Sequence, residues 1–331
     1  MKRSGSLLIV TLWLVTILSV LAVAIARYLS LGVKVSRYRI AREQAKALAR
    51  GGVYISMQRL AIDGAAPEAD GKTYDWPGDN WAVTDAALEN DPAAWSAAVP
   101  GSGATDAGLQ GRLTVRLTDE DRKLNVNTAD QAQLASVAGD PLAQAILDAR
   151  DAPDPAEDRP GTEPPYFAKN GPFRAAEELA DLPGMTAEAY AALRSSTTPY
   201  LDGSAGVNLN TAPPDVLRAL GLTETTIQMI ERFRTGSDGP NEHAQDGVFT
   251  EAGIAIVQLL KDHEGVDLTG TDDGNLLSGP AFGVSSQTFM ISAEGAIAHP
   301  AVRVRVEAVV RRAPCPAGGP TPCIIAWREG V

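Results

Sequence analysis

The sequence predicts an α+β protein. It has a long N-terminal transmembrane helix and a small antiparallel sheet, and a large all-α insertion of two related helical modules interrupts the sheet domain. Three observations predict this. Residues 6–26 form an uncharged apolar run; one period-two segment near Leu113 is answered by three more only beyond Phe289; and between them the pattern of residues 124–129 returns at 207–212.

Length and composition set the frame. A chain of 331 residues with 44% hydrophobic residues can build one large or two medium cores, which excludes a disordered chain. The net charge of -12 hides an asymmetry. Residues 1–60 carry ten Lys/Arg and one acid, Glu43, which leaves nineteen basic against forty acidic groups in the remainder. Such a body repels nucleic acid and attracts cations such as calcium.

The apolar run comes first. About 20 residues at 1.5 Å per residue span a bilayer core of roughly 30 Å. A cleavable secretory signal is the competing reading, with Lys2-Arg3 as its basic region and Ala22-Val23-Ala24 as its cleavage site. The run is longer than such signals carry, and helical spacing continues beyond it. Ala41, Ala45, Leu48, Gly52 and Ile55 recur at three- and four-residue steps, a seam of small residues suited to close helix approach. One retained helix through residue 60 fits both facts.

Beyond it the chain turns polar through Asp63-Gly64, Pro67 and Asp75-Trp76-Pro77-Gly78, with Trp76, Trp81 and Trp95 expected in local core. Residues 113–118 alternate as a half-buried strand. The same alternation places strands at residues 289–293, 302–308 and 323–327. Antiparallel pairing across the long gap is affordable because loop-closure entropy grows slowly with length. Cys315 and Cys323 bracket a Pro/Gly loop before the last strand. They read as a disulfide in an oxidising compartment or as two free thiols in a reducing one, and the membrane segment favours the disulfide.

The insertion, residues 119–285, holds the repeat. Leu124-Asn125-Val126-Asn127-Thr128-Ala129 returns as Val207-Asn208-Leu209-Asn210-Thr211-Ala212. Each copy leads into a helical run, ending at Arg150 and Arg234, and then into a segment with Phe173 or Phe249. The paired asparagines suit side-chain bonds to loop backbone, Thr128 and Thr211 suit helix N-caps, and Pro213 or Pro214 suits a first helical turn.

Calcium, zinc, catalysis and DNA binding each have candidate residues or motifs to be met in this body. Acidic loops offer oxygen ligands for calcium in two places: Asp238, Asn241, Glu242 and Asp246, and then Asp262, Glu264, Asp267, Asp272 and Asp273. Neither has EF-hand spacing, and a solvated charge run competes with each. His243, His263 and His299 lack zinc-ligand spacing and read as surface residues. No nucleophile elbow, metalloprotease helix or phosphate loop is present, so the sequence displays no enzyme. The first module, with Leu182-Pro183-Gly184-Met185 after its Asn-x-Asn-Thr-Ala start, resembles helix-hairpin-helix DNA-binding units. The alternative function this implies is a membrane-tethered DNA-uptake protein. Its acids, among them Asp130, Asp140, Asp148 and Asp151, oppose phosphate contact, so no nucleic-acid partner is expected.

A second resemblance covers nearly the whole chain. Arg3-Ser4-Gly5 before Ser6 resembles a prepilin-type leader, cut after Gly5 with the apolar helix retained. Where ordinary pilins carry Glu at the fifth mature position, this chain has Val10. With Lys123-Leu124-Asn125-Val126-Asn127-Thr128, Glu177-Glu178-Leu179, Val207 to Pro214 and the terminal Trp327-Arg328-Glu329, the sequence resembles the minor pseudopilin K family of type II secretion systems.

That resemblance implies a leader at 1–5, an N-terminal helix at 6–60 with its transmembrane part at 7–26, and a pilin-like domain from 61–118 and 286–331 interrupted by the helical domain 119–285. It implies processing by a prepilin peptidase, methylation of the Ser6 N-terminus, and calcium binding in the helical domain. It implies assembly with minor pseudopilins I and J and other pseudopilus subunits, at the tip of a filament that supports protein export across the outer membrane. It implies a single-pass inner-membrane protein with its C-terminal domain in the periplasm. Arg27, Lys34, Arg37 and Arg39 outnumber Lys2 and Arg3, so the positive-inside rule alone gives the opposite orientation; the reading adopted follows the resemblance.

Overall fold

The computed structural model describes residues 4–65, 73–79, 81–82, 111–151, 169–203, 206–236, 247–313, 315 and 321–330. Helix α1, Ser4–Ala65, runs unbroken for 62 residues, about 93 Å at 1.5 Å per residue. From Leu8 to Ile40 every residue is exposed, so this half stands clear of the body.

From Ala41 the helix joins a sheet, and the reason is its small-residue seam. Ala41, Ala45, Leu48, Ala49 and Val53 are buried against the sheet. A Cβ at Gly295 would stand 2.0 Å from the Ala45 carbonyl oxygen, and one at Gly52 would stand 2.8 Å from Leu113 Cδ1. The seam therefore serves this chain's own sheet, whereas the sequence suggested a surface for partner helices.

The sheet has four antiparallel strands: β1 (Arg112–Asp119), β6 (Thr288–Ile297), β7 (Val302–Arg311) and β8 (Cys323–Glu329), in the order β1-β6-β7-β8. Alternation decides its faces. Leu113, Val115, Leu117, Phe289, Ile291, Ala293, Val306, Ala308 and Val310 point at α1, while Arg303 and Arg305 lie on the exposed face beside Glu294. Glu329 of β8 pairs with Lys46 and Arg50 of α1, both at 2.6 Å. Trp81 stacks edge-on against Phe289, 4.9 Å between centroids, which places it in the local core as expected; Trp95 lies outside the described residues.

Between β1 and β6 the chain forms two helical modules. The first comprises β2 (Leu124–Asn125), α2 (Gln131–Ala138), α3 (Asp140–Arg150), a 3-10 turn at Ala176–Asp181, α4 (Ala187–Ser196) and β3 (Thr197–Thr198). The second comprises β4 (Val207–Asn208), α5 (Pro214–Ala219), α6 (Glu224–Thr235), α7 (Ile254–Glu264), α8 (Asp272–Ser278) and β5 (Phe282–Gly283). Each has its own apolar core, centred on Leu134, Ile146 and Leu193 in the first and on Leu217, Ile230 and Phe249 in the second. The modules meet where α2 packs on α5. The long helix, small antiparallel sheet and helical insertion expected from the sequence are all present.

Candidate functional site

Three regions are the candidates: the free half of α1, the paired helical modules, and the junction that fixes the modules to the sheet. The first is simple. Leu8, Ile9, Leu12, Trp13, Ile17 and Leu21 are each at least half exposed, on a helix long and apolar enough to cross a membrane. Gly5 and Ser6 fall in its first turns.

The modules repeat bond for bond. In the first, Asn125 Oδ1 accepts the Asn127 N–H at 2.9 Å, and in the second Asn208 Oδ1 accepts the Asn210 N–H at 3.0 Å. Asn127 then donates to the Phe173 carbonyl at 2.9 Å and accepts its N–H at 2.7 Å. Asn210 treats Phe249 in the same way, at 2.9 and 2.8 Å. Each copy is closed by a two-residue parallel ladder, β2 with β3 and β4 with β5. Arg150 donates to the carbonyls of Val126 and Ala129, and Arg234 to those of Leu209 and Ala212. The sequence suggested the asparagine bonds; it marked the two arginines only as repeat ends, and their shared position was the available signal.

The capping expectation is corrected. Asp130, in a capping box with Gln133, starts α2, and Pro213 precedes α5 with Pro214 at its first position. Thr211 is instead turned to Asp119, because Asp119 lies buried beside it and needs donors.

Asp119 is the centre of the junction. Its Oδ2 accepts from Asn208 Nδ2 at 3.1 Å, Thr211 Oγ1 at 2.5 Å and Ser286 Oγ at 2.7 Å, and its Oδ1 from the Asp121 N–H at 2.8 Å. Asp121 Oδ2 accepts the N–H groups of Gln287 and Thr288. Asp75 accepts the Ser286 N–H at 2.7 Å, and Arg312 bridges Asp75 and Asp63 at 3.0 and 2.8 Å. The end of α1, the end of β1, the start of β6, the end of β7 and the second module thus share one buried polar node.

Burial dominates its titration. It pushes the Asp119 carboxyl up against the pull of the Thr211 and Ser286 hydroxyls, and it pushes Asp121 up with help from the Asp119 charge. Nearby Asp79 is pushed up to about 7, by burial first. Sequence reasoning missed this node, since its members are up to 249 residues apart.

The first module is held differently, by ion pairs at the rim. Arg194 meets Glu307 at 3.1 Å, Arg328 meets Glu177, and Arg311 meets Asp202 at 3.0 Å. At its Leu182–Met185 hairpin, Gly184 has φ +78°, as a left-handed turn requires. Glu177, Glu178 and Asp181 crowd that hairpin, and Lys169 is taken by Glu178.

The proposed calcium ligands are dispersed where they are described. Glu264 pairs with Arg232 at 2.6 Å and Asp267 with Lys261 at 2.6 Å. Asp273 is buried and accepts from Thr223 and Thr226, while Asp262 and Asp272 face solvent. Among the described residues no three such groups gather to hold a metal. Asp238, Asn241, Glu242, Asp246 and His243 lie outside the described residues. His263 stacks edge-on to Phe233 and sits 3.1 Å from Glu264, and His299 is exposed. Cys315 and Cys323 form a disulfide across the end of β7 and the start of β8, Cα atoms 5.9 Å apart.

Residues 122–200, the first module from its opening turn through β3, match the family described as type II secretion system (T2SS), protein K. The fold matches a chain in a crystal structure of the GspK-GspI-GspJ complex from the enterotoxigenic Escherichia coli type 2 secretion system. The TM-score is 0.55, with 14% identity over 92% of this chain and 99% of that one. The sequence match thus covers the first module, and the likeness over the rest of the chain is one of fold. No curated protein matches it in sequence.

Proposed function

We propose that this chain is a non-enzymatic minor pseudopilin of the K family, anchored by one pass through the inner membrane, and that it caps the tip of a pseudopilus in complex with minor pseudopilins I and J, supporting export of folded proteins across the outer membrane. The observation that carries the reading is the shared architecture over 92% of the chain with a member of a K-I-J complex. The exposed apolar half of α1 supplies the helix that bundles with partner helices and other subunits in the inner membrane. In this reading the paired helical modules form the end of the filament. In this reading prepilin peptidase cleaves between Gly5 and Ser6, the Ser6 amine is methylated, and the body lies in the periplasm, where the Cys315–Cys323 disulfide is maintained.

Calcium belongs to the proposal only at the loop bearing Asp238, Asn241, Glu242 and Asp246, whose side chains are all oxygen donors suited to a hard cation. Of the described acids beyond it, Glu264, Asp267 and Asp273 are committed to other partners.

Co-purification of the membrane-extracted chain with its I and J counterparts tests the assembly, and mass measurement of the mature N-terminus tests the processing. A ternary complex and an N-methylated Ser6 are expected. A chain that ignores both partners, or one that starts after Ala24 or Ala26, overturns the reading.

A further inference from the structure

A cleft of about 720 Å³ opens between the end of β1 and the second helical module. Arg122, in the turn after β1, and Arg234, in the last turn of α6, both line it, with Trp81 and Pro77 along another wall.

The two guanidinium groups are set differently. Arg234 is fixed, its Nη1 spent on the Leu209 and Ala212 carbonyls. Arg122 is half-buried, and its Nε is shielded from solvent without a hydrogen-bond partner. No hydrogen bond holds the rest of the Arg122 guanidinium among the described residues, so its outer nitrogens are left to meet an acceptor from the cleft. The carboxylates facing Arg122 do not supply one. Asp119 is saturated by four donors, and Glu120 is bound to Lys123 at 2.7 Å. Burial lowers both arginines from their ordinary value, and the charge of Arg122 lowers Arg234 further, while Glu231 opposes it. Arg122 and Arg234 therefore share one partly desolvated space, lined also by Arg116 and by the saturated Asp119, within a body whose charge is strongly negative.

We propose that this cleft binds an oxyanion, a carboxylate or phosphate group, held between the guanidinium groups of Arg122 and Arg234. Planar guanidinium donors match the planar or tetrahedral oxygens of such groups, and a low-dielectric cleft strengthens the bond. The site is independent of the assembly reading, since it lies on one chain and needs no partner subunit.

The test is calorimetric titration of the full chain in detergent with inorganic phosphate and, separately, with succinate, at constant ionic strength maintained with chloride. Saturable one-site binding of either probe is expected, and the stronger probe identifies the occupant's chemistry. Arg122→Gln should weaken that binding by about tenfold or more, because a charge-assisted bond is lost. Arg122→Lys, which keeps the charge and loses the fork, should fall between. The Arg122 side chain makes no hydrogen bond that folding needs, so both variants should melt as the parent does. Absence of saturable binding by either probe overturns the proposal, as does equal affinity in Arg122→Gln.

Discussion

Asn210 and Phe249 form a closed two-bond ring, the asparagine amide donating to the phenylalanine carbonyl at 2.9 Å and accepting its N–H at 2.8 Å. Both residues are buried, so truncation of Asn210 strands two backbone groups away from water. Asn210→Ala should cost about 1–3 kcal/mol for each group left unpaired. Asn127→Ala breaks the equivalent ring with Phe173 where water can reach it, and should cost less. Urea unfolding of the two variants checks the ordering, and equal losses would contradict the burial argument.

A glycine fixes the seat of the long helix on the sheet. A Cβ at Gly295 would meet the Ala45 carbonyl oxygen at 2.0 Å, and backbone cannot yield as a side chain can. At Gly52 the nearest atom, 2.8 Å away, is the Leu113 methyl, which can turn aside. Gly295→Ala should therefore destabilise by about 1–3 kcal/mol or more through overpacking, and Gly52→Ala by less. Thermal melting of both variants in detergent distinguishes them; a neutral Gly295→Ala would show that α1 does not sit this close to β6.

What the sequence showed and what it hid follow from the range of the interactions. Leu113, Val115 and Leu117 alternate within one strand, and Asn125 with Asn127 repeats as Asn208 with Asn210, so both features could be read locally. The seam from Ala41 to Gly52 was legible as a close-packing surface, but spacing along one helix does not say which partner it meets. Asp119 could not be placed at all. Its donors, Asn208, Thr211 and Ser286, lie 89, 92 and 167 residues away, and no local pattern marks them. Thr128 and Thr211 were misread because threonine before a helical run is a capping signal in general, while here Asp130 caps the first module and Asp119 claims Thr211.

The buried carboxyls set the pH response. Asp79, Asp119 and Asp121 all have folded values above the ordinary carboxyl value, Asp79 at about 7. The folded protein then holds protons that the unfolded chain has released. Their contribution to stability is fully present below about pH 4 and is lost as pH rises toward about 7. Glu264, Asp267 and Glu329 are lowered by Arg232, Lys261 and Lys46 respectively, and act in the opposite direction only at pH below the ordinary carboxyl range. Melting temperature should therefore fall between about pH 5 and pH 7.5. Asp79→Asn, which keeps an oxygen for the Trp76 N–H and Trp81 Nε1, should flatten that fall. A melting temperature that rises across this interval would refute the assignment.

The two modules should separate in their response to salt and to mutation, because different bonds hold them. Arg194–Glu307 and Arg328–Glu177 are partly exposed pairs, so removing either should cost under about 1 kcal/mol, and the loss should shrink in high salt. Asp119→Ala leaves the Thr211 and Ser286 hydroxyls and the Asp121 N–H without their carboxylate acceptor in a buried node, and should cost more than about 3 kcal/mol. Because that node joins the second module to α1, β1, β6 and β7, its loss should also divide a single denaturation transition into two, one for the sheet layer and one for the helical modules. Urea unfolding followed by tryptophan fluorescence and by far-ultraviolet dichroism measures both effects. Since Trp76 and Trp81 lie by the sheet and the modules are mainly helical, the two probes should stop coinciding in Asp119→Ala. Coincident curves with a shift below about 1 kcal/mol would mean that the rim ion pairs, and not the buried node, fix the modules to the sheet.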